Sequence, residues 1–207
     1  VTDVRSAVIL PDDWFRNSTV VKPGWKLLPL ITKGTVRPRA PDAGAMIETL
    51  RAFGYHLETS IADIIYNSVF AEAKNVWIEC TWNGETSTIS IRDDGRGMTK
   101  DILKNAMKPG SKNPLQERDA QDLGRFGLGL KTASFSQCRR LTVGSKAKGN
   151  ESVIRYWDLD YVNYCGEWRL AKPNKENIPP VFSELDPMIS GTIVLWEKID
   201  RMTKGTD

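Results

Sequence analysis

Two early stretches place apolar residues at helical spacing. Met46, Ile47, Leu50 and Phe53 follow Asp42, a residue that suits a helix N-terminus, and Gly54 suits the helix end. Ile61, Ile64, Ile65 and Val69 repeat the pattern and predict a second helix, from about Glu58-Thr59 to Lys74-Asn75. The period then changes. Val76 to Trp82 and Thr88 to Arg92 read as strands joined at Asn83-Gly84, a strong hairpin signal. A turn, Asp93-Asp94-Gly95-Arg96-Gly97-Met98, leads to a short helix opened by Thr99 and carrying Ile102, Leu103 and Met107. Residues 108–123 are polar and contain Pro109, Gly110 and Pro114, which predicts a mobile loop long enough to be functional or disordered. Gly124-Arg125-Phe126-Gly127-Leu128-Gly129 then opens a helix ending near Gln137. Arg140 to Lys146, Val153 to Leu159 and Gly191 to Lys198 read as strands, the last two separated by a loop-rich stretch at 172–188. Helices grouped early and strands late predict an α+β fold, a two-layer sandwich with a mixed β-sheet covered on one face by helices.

The remaining segments set the expected domain boundaries. Residues 1–40, rich in proline and carrying Trp14, Phe15 and Trp25, read as an N-terminal arm or extension. The domain proper is expected over 41–200, with 201–207 as the start of a linker. Val1 in place of an initiator methionine and the polar end from Met202 to Asp207 predict a piece of a longer protein.

Composition narrows the class without naming a chemistry. Of 207 residues, 40% are hydrophobic and 27% charged, ordinary values for a soluble globular domain. No stretch approaches a membrane span, and no apolar run follows a basic start as in a signal peptide. Cys80, Cys138 and Cys165 are odd in number and scattered, and His56 is the one histidine, so zinc sites and a disulfide framework are not expected. Reduced, scattered cysteines fit the cytoplasm. A net charge of +3 permits contact with nucleic acid without arguing for it. The seven tryptophans are expected in cores and interfaces rather than as stacking platforms for bases.

Three clusters carry the candidate chemistry. Asp63 and Asn67 lie four apart and so share one helix face, which Ile64 and Ile65 point inward. An asparagine carbonyl can ligate Mg²⁺, and an aspartate can orient or activate water. Taken alone, a solvated helix edge explains the pair equally well. In the Asp93 turn, two glycines let backbone approach a ligand, and a carboxylate accepts a hydrogen bond from an amine. Taken alone, a strand-ending turn is the simpler reading. The later acids of a calcium loop are missing. Gly124, Gly127 and Gly129 open a helix whose N–H groups would suit phosphate. The order around them fits neither a dinucleotide-binding βαβ unit nor a Walker loop.

Together the three clusters are specific. The order and spacing resemble the GHKL superfamily of ATPases (gyrase B, heat-shock-ninety chaperone, histidine kinase and MutL) over about residues 45–198. Ile61-Ala-Asp-Ile-Ile-Tyr-Asn-Ser68, Asp93-Asp-Gly-Arg-Gly-Met98 and Gly124-Arg-Phe-Gly-Leu-Gly-Leu-Lys131 look most like MORC-type and related bacterial proteins. The resemblance implies a Bergerat-type sandwich that binds ATP with Mg²⁺. It implies that Asn67 holds the Mg²⁺ on the phosphates and that Asp93 takes the adenine amino group. Gly95 belongs to the same turn, and Gly97 and Met98 line the adenine pocket. Thr192, in Gly191-Thr-Ile-Val-Leu, is implied to share a water with Asp93. Gly124, Gly127, Leu128 and Gly129 would wrap the phosphates, and residues 108–123 would be the lid. Lys112 and Lys131 are each either phosphate-directed or solvated surface charges.

The family's general base is usually a glutamate four residues before the asparagine. Here that position is Asp63, one methylene shorter, so hydrolysis is less secure than binding. The expected activity is slow ATP hydrolysis that couples lid closure to nucleotide-dependent homodimerisation or domain motion in a longer protein. Contact with nucleic acid would come through other domains, and no membrane is expected. The alternatives are a nucleotide-gated binding module with little hydrolysis, and a histidine kinase catalytic domain. The second is disfavoured because Leu57 follows His56 where a phosphoacceptor motif would carry an acid.

Overall fold

The computed structural model of the chain describes residues 42–52, 55–110 and 129–201. Helix α1 (Ala43–Arg51) starts as expected, with the Ala45 amide donating to the Asp42 carboxylate at 2.7 Å. Phe53 and Gly54 lie outside the described residues. Helix α2 (Leu57–Phe70) buries Ser60, Ile64 and Ser68, a stripe one turn apart, while Val69 is 61% exposed. It stops short of the expected Lys74-Asn75. Glu72 takes a left-handed φ of 61°, and the amides of Lys74 and Asn75 turn to the Asp94 carboxylate, each at 2.8 Å.

Strands β1 (Val76–Thr81) and β2 (Thr88–Asp93) pair antiparallel. Their connection is longer than a two-residue turn and contains a short 3₁₀ helix at Gly84–Thr86. A tight type I′ turn needs positive φ at both central residues, and Asn83 has φ −154°. Helix α3 (Lys100–Met107) buries Leu103 and Met107, and α4 (Gly129–Phe135) is buried from Lys131 onward. Strands β3 (Cys138–Lys146) and β4 (Val153–Asp158) follow.

The sequence pattern missed the next element, helix α5 (Leu159–Cys165). Its signals are present nonetheless. Asp158 accepts from the amides of Asp160 and Tyr161, and Gly166 ends the helix in the left-handed region at φ 66°. The last strand, β5 (Gly191–Ile199), is the sheet's centre.

The five strands lie in the order β1-β2-β5-β3-β4, and each neighbouring pair is antiparallel. The α+β sandwich therefore stands, with an antiparallel sheet where a mixed one was expected. The mixed expectation came from the order of helices and strands along the chain; the insertion of β5 between β2 and β3 makes each described pairing antiparallel. Alternate residues of the strands face two different cores. Ile89, Ile91, Leu141, Val143, Trp157, Val194 and Trp196 meet all five helices in the large core. On the other face Ile193 and Leu195 meet Phe182 and Leu185. The stretch expected to be a loop-rich insertion is thus a second cover, carried by 3₁₀ helices at Lys175–Asn177 and Pro180–Leu185. Burial on both faces explains why Ile193-Val194-Leu195-Trp196 reads as an unbroken apolar run.

Candidate functional site

The helix-covered face holds a cavity of about 410 Å³ between α2, α3, α4 and the sheet. Its sheet wall is a row of residues brought into register across three strands. Asp93 on β2 stands opposite Thr192 on β5, and Thr192 stands opposite Ser145 on β3. Because strand residues alternate, all three project to the same side as Ile91, Val194 and Val143. Val143 and Val194 line the cavity beside Asp93 and Thr192. The result is an apolar floor with an acid and hydroxyls at one end.

Asp93 is 6% exposed and firmly held. One carboxylate oxygen accepts from the Ser68 hydroxyl at 2.9 Å and the other from the Gly95 amide at 2.9 Å. Burial raises its pKa, against the hydrogen bonds from Gly95, Ser68 and the Thr192 backbone, which pull it down. The neighbouring Asp94 has a different task. Its oxygens accept from Asn75 and Lys74, and these bonds, the Asn75 side chain's first, hold it below the usual carboxylate range. The structure thereby divides the acid pair: Asp93 faces the cavity, and Asp94 fixes the turn between α2 and β1.

The glycines of this turn serve close approach. A Cβ on Gly95 would sit 2.7 Å from the Ala71 carbonyl oxygen, so the turn rests directly on the end of α2. Gly97 has φ +64°, and a Cβ there would collide with the Lys146 carbonyl. Met98, which lines the cavity, is fixed by its amide donating to the Ser145 hydroxyl at 2.8 Å. Ser145 in turn lies 2.8 Å from the Thr192 hydroxyl. Ser68 and Ser145 were not singled out in the sequence. Ser68 follows Asn67 directly, but Ser145 has no signal beyond an ordinary strand.

On the helix wall, Asn67 lines the cavity and is exposed, as a residue that meets a ligand must be. Tyr66, Phe70 and Ala71 continue that wall, and Ile102, Asn105 and Ala106 form the α3 side. Asp63 stands one turn before Asn67, half-buried, outside the cavity lining and hydrogen-bonded to Tyr55. Burial, and then the Asp63 charge, push the Tyr55 hydroxyl's pKa up. The inward face predicted for the Asp63–Asn67 pair belongs instead to Ser60, Ile64 and Ser68, because α2 rests on the sheet along that stripe.

Gly129 and Lys131 also line the cavity. Lys131 is 2% exposed, and its ammonium donates to the Ala106 carbonyl at 2.6 Å, in the last turn of α3. Solvated surface charge is therefore excluded for Lys131: the buried ammonium meets a carbonyl at a negatively polarised helix end. Lys112, Gly124, Gly127 and Leu128 lie outside the described residues, as does 111–123 of the expected lid.

The profile of the histidine kinase-, DNA gyrase B-, and HSP90-like ATPase family matches residues 55–192, two-thirds of the chain and all of the named cavity lining but Val194. The chain belongs to that family. It is 36% identical over 120 residues to the chaperone protein HtpG of Bacillus velezensis, across 54% of this chain and 18% of HtpG. It is 29% identical over 112 residues to the DNA mismatch repair protein MutL of Clostridium acetobutylicum, across 51% of this chain and 18% of MutL. HtpG of Halalkalibacterium halodurans is 34% identical over 98 residues, covering 44% of this chain and 16% of that protein. The chain thus spans less than a fifth of the length of these relatives. Among the described residues, no helix is long and apolar enough to cross a membrane.

Proposed function

We propose that the cavity binds ATP with Mg²⁺ and that the protein hydrolyses it slowly. One observation carries this reading: the buried Asp93 carboxylate, fixed by Ser68 and Gly95, at the end of an apolar cavity whose opposite wall presents Asn67. A flat apolar base with an exocyclic amine suits that combination. Asp93 would accept from the amine, Thr192 and Ser145 would hold a bridging water, and Gly97 and Met98 would flank the base. Among the described residues, no cluster of three acids, histidines or cysteines could hold a metal alone. This donor set fits Mg²⁺ that arrives with phosphate, since that ion keeps phosphate and water oxygens and needs few protein ligands. Asn67 would supply one. Lys131, Gly129 and, beyond the described residues, Lys112, Gly124, Gly127 and Leu128 would meet the phosphates.

Asp63 would be the general base. Its hydrogen bond to Tyr55 and its short side chain support slow turnover. Binding would close residues 108–123 over the nucleotide and favour a homodimer or a domain motion in a longer cytoplasmic protein, with 41–200 as the ATP-binding domain between an arm and a linker. Within the family, the motifs around Asn67, Asp93 and Gly129 support a MORC-type kinship. Calorimetry with ATP, with and without Mg²⁺, is expected to give Mg-dependent binding. Phosphate release is expected to be slow, and slower still in Asp63→Asn with binding intact, whereas Asn67→Ala weakens binding itself. No binding at millimolar ATP would remove the nucleotide reading. Turnover untouched by Asp63→Asn would remove only the base.

A further inference from the structure

Buried polar groups that the cavity does not use converge on the far end of α4. Arg51, on α1, is 2% exposed. Its Nη1 donates to the carbonyls of Phe135 at 2.6 Å and Cys138 at 3.0 Å. Its Nη2 grips both carboxylate oxygens of Asp200, at 2.7 and 2.5 Å. Around this fork, the Trp196 indole N–H donates to the Ser134 hydroxyl at 2.8 Å, and the Gln137 amide donates to the Tyr55 carbonyl at 2.7 Å and to Ser60 at 3.0 Å. The end of α4 is thus tied by polar bonds to α1, to the start of α2 and to β5.

Stability alone does not call for such an arrangement, because apolar side chains would fill the same space without desolvating a guanidinium. What such a polar network supplies, here with only the Arg51 Nε left without a hydrogen bond, is a fixed geometry. Here it fixes a helix that has both ends at places of consequence. Gly129, Leu130 and Lys131 line the cavity at one end, and Phe135 meets Arg51 at the other. The helix has seven residues, about 10 Å at 1.5 Å each, so a shift at one end is felt at the other.

We propose that Arg51 and Asp200 are positioning residues: their ion pair seats α4 against the cavity and couples cavity occupancy to the segment that ends β5. The proposal rests on the reading that nucleotide fills the cavity. A ligand that re-seats α4 tightens the Arg51 fork on Asp200. By reciprocity, loosening Asp200 lowers the affinity for that ligand.

The test uses the whole chain and the β,γ-imido analogue of ATP with Mg²⁺, with affinity from calorimetry and hydrogen exchange followed over 130–138 and 193–201. In the wild type, saturating analogue is expected to slow exchange in both segments. Asp200→Asn keeps an acceptor but loses the charge. It is expected to bind about five- to tenfold more weakly, the lower end of ordinary coupling, and to lose the protection over 193–201 while keeping it over 130–138. Arg51→Lys keeps the charge but cannot span Phe135, Cys138 and Asp200, and is expected to give the same split. Analogue binding to the wild type without any change at 193–201 overturns the coupling and leaves the nucleotide reading standing. So do variants that melt lower yet bind and protect as the wild type does, since that is the behaviour of a merely structural tie. Failure of the wild type to bind the analogue removes both.

Discussion

The two faces of the sheet are built from alternate residues of the same strands, yet they differ in kind. The face toward the 3₁₀ segment is closed by Phe182, Leu185, Ile193 and Leu195, with Ile154, Ile178, Val181 and Met188 packed around them. The Phe182 ring occupies the space that Gly144 leaves on β3, where a Cβ would stand 2.7 Å from a ring carbon. The helix-covered face is larger and carries buried polar residues throughout: Arg51, Ser60, Ser68, Asp93, Lys131, Ser134, Gln137, Ser145 and Thr192. Each of these must be hydrogen-bonded or lose its desolvation energy. One face thus packs the sheet chiefly through apolar shape, with the Arg92–Glu184 ion pair and the Lys146 ammonium, which donates to the Leu185 and Asp186 carbonyls, at its rim. The other accepts the cost of buried polar groups, of which Ser68, Asp93, Lys131 and Thr192 line the cavity. Residues of equal burial should therefore fail differently when changed.

The largest effect should fall on stability, from the apolar face. Phe182→Ala removes a ring that is 3% exposed and is expected to cost about 3–5 kcal/mol. Chemical denaturation should show this loss while the affinity of the remaining folded protein for ATP stays within about twofold, because ΔΔG values at separate sites add. A matching collapse of ATP affinity would mean that the two faces are not independent.

Asp93→Asn should show the reverse. It replaces a charged acceptor by an amide and is expected to weaken ATP binding about a hundredfold, since a hydrogen bond to a charged group is worth up to about 3 kcal/mol. Its stability should carry a sign that identifies the group. Burial raises the folded-state pKa of Asp93, so its contribution to stability is present below the ordinary carboxylate pKa and is lost as pH rises through the raised value. As pH rises above the ordinary carboxylate pKa, the wild type should therefore lose a component of stability that Asp93→Asn keeps. Melting curves of both proteins across that range decide it; parallel pH profiles would place the ionised carboxylate at no disadvantage in the fold.

A smaller effect separates holding from touching. Ser68→Ala removes the hydroxyl that donates to Asp93 at 2.9 Å. A loss of about 1.4 kcal/mol in oriented acceptor strength would appear as a roughly tenfold weaker ATP affinity with little change in melting temperature. Unchanged affinity would mean that Gly95 and Thr192 suffice to aim the carboxylate.

The sequence by itself determined the local features. Helical spacing gave α1, α2 and α3, Asp42 gave the start of α1, and the apolar run at 193–196 gave β5. The Asp93 turn and Asn67 were legible because their spacing is local to one helix–hairpin unit. Helix α5 was legible as well, from Asp158 and Gly166, but the apolar run of β4 reaching Leu159 hid its start. Tertiary structure decided what local pattern cannot encode. Inserting β5 between β2 and β3 sets Thr192 against Asp93 and Ser145 against Thr192, pairings between residues far apart in the chain. It also decided which stripe of α2 faces inward, since the period fixes that a helix has a face while the sheet beneath selects Ser60, Ile64 and Ser68 to fill it. The fork of Arg51 on Phe135, Cys138 and Asp200 follows the same rule. An arginine in the last turn of an amphipathic helix reads as surface, and only the closing of the chain over it, with carbonyls and a carboxylate to accept its hydrogen bonds, makes burial possible.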